Sequence, residues 1–305
     1  MRPLEDRRFL FVTGKGGVGK TTIAAALAER FAAQGKRVLL TVCDAKERTS
    51  QLLGVPALTQ DLREVKPRLY AVKITAERAM EEYGLMILRS RTMYSAVFDN
   101  RFTRGFFKGV PGLYEWAMLG KAWYHSIEEQ DDGAPRFDVV LFDAPATGHG
   151  LDMLRVPKII TEVVPPGILR RDAERAYTMF RDPEQSGVVV VTLPEDMPTS
   201  ETLELYEALT NELRLPVARL VINGVIEPLF SPEEQHELLK DRTLNRSLPG
   251  DEALSGGIRR VIRERVQEES LARLAALPVA RTELPLLLKE AQTPEAVQEL
   301  AALLR

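Results

Sequence analysis

Short apolar runs alternate along the chain with longer stretches whose apolar positions recur at helical spacing. The runs occupy residues 9–13, 38–43, 69–74, 137–142, 188–193, 217–223 and, more weakly, 278–281. Several are continuous in Val, Ile and Leu rather than alternating with polar residues, the pattern of strands covered on both faces. Parallel strands joined by helices build an α/β doubly wound, mostly parallel sheet. No internal repeat or low-complexity stretch interrupts this pattern. Residues 247–257, rich in Ser, Gly and Pro, read as a loop. The heavily charged helical stretch over 258–277 reads as solvated on most faces.

One region departs from the rest. Between Tyr70 and Tyr124 lie 11 of the 20 aromatic residues, including both tryptophans, and four of the eight methionines. Ala76, Met80, Tyr83, Ile87, Tyr94 and Phe98 stand at near-helical spacing, and Leu85-Met86-Ile87-Leu88 makes that helix apolar on more than one side. A second helix is expected over 113–128. Together they read as a helical subdomain, residues 75–130, inserted in a single 305-residue domain. Such a concentration suits a satellite core or a dimer interface. It also suits a Met- and aromatic-rich groove that receives an apolar helix from a partner.

The strongest chemical signal lies between the first strand and a helix expected over 22–31. Gly14-Lys15-Gly16-Gly17-Val18-Gly19-Lys20-Thr21 fits the G-x-x-x-x-G-K-[ST] phosphate loop. Glycines there let backbone N–H groups converge on phosphate oxygens, and the helix N-terminus adds positive potential. The candidate nucleotide-binding residues are therefore Gly14, Gly16, Gly17, Val18, Gly19, Lys20, Thr21 and Thr22. Lys20 would neutralise the β/γ-phosphates and the Thr21 hydroxyl would ligate Mg²⁺, so ATP and Mg²⁺ are the expected substrate and ion. Lys15 is an addition to this pattern. With Lys20 already on the γ-phosphate side, Lys15 could reach a nucleotide held by a facing subunit and supply the charge an arginine finger supplies elsewhere.

Composition narrows the reading. Forty-one basic residues balance 44 acidic ones, a net charge of −3 that leaves no electrostatic footprint for nucleic acid. No apolar run reaches the roughly 18 residues of a membrane span. The charged Met1-Arg2-Pro3-Leu4-Glu5-Asp6-Arg7-Arg8 segment reads as no secretory signal, so the expected location is the cytoplasm. The single cysteine, Cys43, excludes an intrachain disulfide and a CxxC metal site, and reads as a buried structural thiol. His125, His149 and His236 have no metal-type spacing.

Two acids end strands. Asp44 follows the 38–43 run at a carboxyl edge, where ligands bind in such sheets, and could orient or deprotonate an attacking water. Asp143 closes Phe137-Asp138-Val139-Val140-Leu141-Phe142-Asp143, in the place expected to hold Mg²⁺ through water. The following Ala144-Pro145-Ala146-Thr147-Gly148-His149-Gly150 segment is a candidate switch loop whose N–H groups could sense the γ-phosphate. His149 is either a switch contact or a partly exposed loop residue.

With the two-lysine loop, Asp44 and the Asp-Ala-Pro-Ala-Thr-Gly-His-Gly segment, the chain resembles the deviant-Walker-A ATPases, and within them the ArsA family. That family includes arsenite-pump ATPases and the ATPases that target tail-anchored membrane proteins. The resemblance extends through Leu69-Tyr70-Ala71, Pro111-Gly112 with Glu115, Leu154-Arg155-Val156-Pro157, Leu193-Pro194-Glu195, Val221-Ile222-Asn223 and Leu284-Pro285-Leu286-Leu287. It implies that Lys15 is the trans-acting signature lysine, that Asp44 positions the lytic water, that Asn223 hydrogen-bonds the adenine, and that Pro285 and Leu286 help cover the base. It also implies a nucleotide-sandwich dimer, with an identical chain or a second ArsA-like subunit, that closes on ATP.

Three departures stand out. The first switch, Cys43-Asp44-Ala45-Lys46-Glu47-Arg48-Thr49-Ser50, keeps Asp44 but lacks the family's usual Asp-Pro-Ala-His. The zinc-binding CxxC of the targeting ATPases and the metalloid-binding cysteines of the pump are absent. The chain is also one ATPase unit where the pump carries two, as in single-unit bacterial members. The expected function is a dimeric ATPase whose conformational cycle is coupled to a hydrophobic client or membrane-protein partner. A nucleotide-gated scaffold with little turnover and a MinD/ParA-like positioning ATPase are the alternatives.

Overall fold

The computed structural model describes residues 2–43, 48–88, 112–145, 149–240, 249–287 and 292–304. Among these, eight strands form one sheet: β1 (Phe9–Gly14), β2 (Val38–Val42), β3 (Arg63–Lys66), β4 (Leu69–Lys73), β5 (Val139–Asp143), β6 (Ser186–Thr192), β7 (Val217–Val225) and β8 (Arg281–Pro285). Their spatial order is β3-β4-β2-β5-β1-β6-β7-β8. Only the β3–β4 pair is antiparallel. β1 lies between β5 and β6, in register with both, Val12 opposite Asp143 and Gly14 opposite Val191. The crossover from β1 runs to β2 on one side and that from β5 to β6 on the other, which opens a crevice at the carboxyl ends of these strands.

Helices cover both faces. Along β1, Leu10 and Val12 point to one side, Phe9 and Phe11 to the other, and all four are fully buried. Leu10 and Val12 meet α1 (Lys20–Ala33), α2 (Thr49–Leu53) and α10 (Pro294–Leu303). Phe9 and Phe11 meet α4 (Leu113–Ile127), α5 (His149–Val163) and α6 (Ile168–Arg181). The Phe180 ring of α6 sits 5.0 and 4.8 Å from those of Phe9 and Phe11. Two covered faces explain why the strands read as continuous apolar runs.

Most runs become strands near their expected bounds. β8 is displaced, at Arg281–Pro285 rather than 278–281, and β3 went unseen because Arg63-Glu64-Val65-Lys66 is a half-exposed edge without an apolar run. The loop expected over 247–257 is corrected from Pro249 onward, where α9 (Pro249–Ala275) begins. Proline suits a helix's first turn because its missing N–H has no partner to lose there. Gly257 lies beside Leu238 of α8 (Pro232–Leu239).

The rest of α9 is mostly exposed but carries a buried stripe of Val261, Glu264, Gln267, Ser270 and Leu274. Two of its polar members tie down the chain just past the end of β7. The Gln267 amide accepts from the Ile226 N–H at 2.8 Å and donates to the Ile226 carbonyl at 2.7 Å, as a neighbouring strand would. Glu264 accepts from the Leu229 N–H at 2.9 Å and from Arg260 at 2.7 Å.

The region expected to be a helical insertion supplies α3 (Ala76–Leu88) and α4; residues 89–111, with Tyr94, Phe98 and Pro111, lie outside the described residues. The buried side of α4, with Trp116, Leu119 and Trp123, belongs to the same core as Phe9 and Phe11. Among the described residues no helix is long and apolar enough to cross a membrane.

Gln267→Leu keeps the bulk of the side chain but strips the Ile226 N–H and carbonyl of their partners. It should lower unfolding stability by about 2–3 kcal/mol in urea titrations. Gln267→Glu, which can still accept from the N–H, should cost less.

Candidate functional site

The carboxyl edge of the sheet gathers β1, β2 and β5, and the phosphate loop leaves it at Gly14. Gly14 has φ 146°, and a Cβ there would stand 2.1 Å from the Val191 carbonyl oxygen. Only glycine permits this approach to β6. Gly17 and Gly19 also have positive φ, 85° and 97°. Nothing lies within 4 Å of a Cβ placed on Gly17, so that side of the loop faces open space.

Gly19 caps α1 and offers no side chain to its first turn. First-turn N–H groups therefore point into the crevice with the helix's positive end behind them. Val18 is buried in the α1 core, Gly16 and Gly17 are exposed, and Thr21 and Thr22 are half-buried. Lys20 is 7% exposed and its ammonium donates to the Lys15 carbonyl at 2.8 Å, so it curls back over the loop. The Thr13 hydroxyl, just before the loop, is buried with no hydrogen-bond partner. It lies 3.3 Å from where a Cβ of Gly150 would sit, in the first turn of α5.

Asp143 ends β5 opposite both Val12 and Val42, and is nearly buried. Cys43 follows Val42, and its thiol is pushed far above its ordinary range by burial and then by the Asp143 charge. It stays protonated, in keeping with a structural thiol. Asp44 and the rest of the first switch to Glu47 lie outside the described residues, as do 146–148 of the second; His149 is the first residue of α5.

At the other end of the loop, Asn223 of β7 donates to the Val18 carbonyl at 3.0 Å, and a Cβ on Gly19 would lie 2.6 Å from its Nδ2. Pro285 stands opposite Val225, the Leu286 N–H donates to the Val225 carbonyl at 2.8 Å, and Leu286 is 36% exposed. Asn223 thus touches the loop, while Pro285 and Leu286 adjoin the end of the same strand, at Val225. An open backbone cradle with two lysines and a helix N-terminus fits a triphosphate. The oxygen donors of Thr21 and Asp143 suit a hard cation such as Mg²⁺.

Sequence reasoning missed one contact. The Lys15 ammonium is paired with the Glu201 carboxylate, on α7 (Asp196–Glu207) after β6. α7 is itself tied down where Arg273 of α9 donates to Asp196 at 2.8 Å and Ser200 at 2.7 Å. Nothing in the pattern around Glu201 marks it; only the packing of α7 beside the loop brings it to Lys15.

The family described as anion-transporting ATPase, of the ArsA type, matches residues 7–166. The chain is 30% identical over 308 aligned residues to ATPase BagA of Mycobacterium tuberculosis, covering 92% of this chain and 88% of that one. This chain belongs to the ArsA family. It is 28% identical to the arsenical pump-driving ATPase of Acidiphilium multivorum, over 76% of this chain and 41% of that protein. With ATPase GET3B of Arabidopsis thaliana it shares 26% identity, over 74% and 66%. This ArsA-family protein binds nucleotide and is an ATP hydrolase.

Two glycines of its loop should respond differently to a methyl group. Gly14→Ala forces a Cβ into the Val191 carbonyl and should cost more than about 3 kcal/mol in unfolding titrations. Gly17→Ala meets open space and only an unfavourable φ, about 1–2 kcal/mol.

Proposed function

We propose that this ArsA-family ATPase works as a dimer in the cytoplasm, paired with an identical or a second ArsA-like subunit. ATP-driven closure is coupled to a hydrophobic client or membrane-protein partner. The carrying observation is the division of labour between the two loop lysines. Lys20 curls over its own loop, whereas the Lys15 ammonium is directed away from it, onto Glu201.

In this reading the loop N–H groups and Lys20 hold the β/γ-phosphates, with Asn223, Pro285 and Leu286 around the adenine. Mg²⁺, held by Thr21 and through water by Asp143, supplies charge neutralisation to the phosphates. Asp44 orients the water that attacks the γ-phosphorus as the bond to the bridging oxygen breaks, leaving ADP, phosphate and a proton. Lys15 leaves Glu201 on closure and reaches the facing nucleotide, where it stabilises charge that develops in the transition state. The chain is a single domain whose helical subdomain, residues 75–130, binds the client.

Lys20→Ala should abolish tight nucleotide binding. Lys15→Ala should leave binding to the separate subunit intact and lower turnover by roughly 10²–10³, the scale for a donor used only in the transition state. Asp44→Asn should lose a similar factor. When Lys15→Ala and Asp44→Asn subunits exchange, one site of the mixed dimer keeps both groups and activity should partly return. Normal turnover by Lys15→Ala alone would remove the basis for the trans arrangement.

The client arm is tested separately by hydrogen exchange over residues 75–124 with and without ATP. Protection there should change with nucleotide state; identical protection in both states would leave those residues a purely structural role.

A further inference from the structure

Away from the phosphate loop, α3, α4 and α6 border a half-open cavity of about 560 Å³. That is the size range of small-molecule sites. It is also roughly the volume of one turn of a helix about 10–12 Å across, too little for the long apolar segment of a membrane-protein client. Rings of Tyr83, Trp116, Trp123 and Tyr124 line it.

Its polar groups are unevenly matched. Lys121 is paired with Glu82, and the Tyr83 hydroxyl donates to Asp172 at 3.3 Å, with Arg171 3.8 Å from the same carboxylate. Arg175 has no ion-pair partner among the described residues, and its guanidinium sits 5.8 Å from the Trp123 ring centroid. Three cations therefore meet two carboxylates around the cavity.

Trp123, 5% exposed, forms a wall of the cavity rather than an open polar group.

We propose that this cavity binds a small amphipathic organic anion: a flat, largely apolar body carrying one carboxylate, sulfonate or phosphate. The body stacks among the tryptophan and tyrosine rings, and the anionic group meets Arg175. The site stands independently of whether Lys15 acts in trans.

Anilinonaphthalene sulfonate is the probe, used with the full-length protein. Both tryptophans of the chain line the cavity, so energy transfer from tryptophan favours probe bound there. One probe per chain is expected, with a dissociation constant on the order of 10 µM. Arg175→Gln, on the exposed side of α6, should weaken it about tenfold. That change should not alter binding of the neutral analogue phenylnaphthylamine. Circular dichroism checks that the variant folds. Absence of saturable energy transfer, or a sulfonate affinity unchanged by Arg175→Gln, overturns the proposal. Equal loss of the neutral probe in that variant overturns the anionic assignment.

Discussion

The close passage of Gly14 beside the Val191 carbonyl sets the geometry on which the nucleotide site depends. β1 pairs with β6 up to that residue and then must turn at once into the loop. A Cβ would stand 2.1 Å from a backbone oxygen that belongs to a central strand and has nowhere to go. Lengthening the turn would separate the loop from the first turn of α1, whose N–H groups then could not converge on the same phosphates. Tight pairing on one side and a short path to the helix on the other leave little freedom in where the cradle lies.

The loop so placed is tied to its surroundings on both sides. Asn223 of β7 holds the Val18 carbonyl, and Glu201 of α7 holds Lys15. Both partners arise from the half of the sheet beyond β6, far from the loop in sequence. α7 is anchored in turn by Arg273 of α9, and α9 holds the residue after β7, Ile226, through Gln267. A shift of the loop on binding nucleotide would therefore be felt in α7 and β7 first. The Lys15–Glu201 pair is partly exposed, with side chains 37% and 30% accessible, so solvent weakens it and it can exchange partners at small cost.

The helical region reads differently once its packing is known. α4 is no satellite: Trp116 and Trp123 join the core that holds Phe9, Phe11 and Phe180. The same two rings, with the neighbouring Tyr124 47% exposed, also line the cavity shared with α3 and α6. One helix thus fastens the region to the sheet and presents aromatic surface outward. That dual use explains why its sequence is apolar on more than one face.

Local pattern was enough for the covered strands, the strand–loop–helix order around Gly14-Lys15-Gly16-Gly17-Val18-Gly19-Lys20-Thr21, the acid at the end of β5 and the family. Each is encoded over a few consecutive residues, through backbone freedom at glycine, continuous apolar runs, or a charge at a strand end. The edge strand β3 was invisible because pairing with β4, not burial, holds it. The start of α9 was misread because Pro249 and the paired Gly256 and Gly257 signal a turn locally although they fall within a helix. Glu201 beside Lys15, Asn223 on the Val18 carbonyl, Gln267 on Ile226 and the unmatched Arg175 over Trp123 were decided only by tertiary structure. Their partners lie 186, 205, 41 and 52 residues away along the chain, and no local period or propensity carries information over that distance.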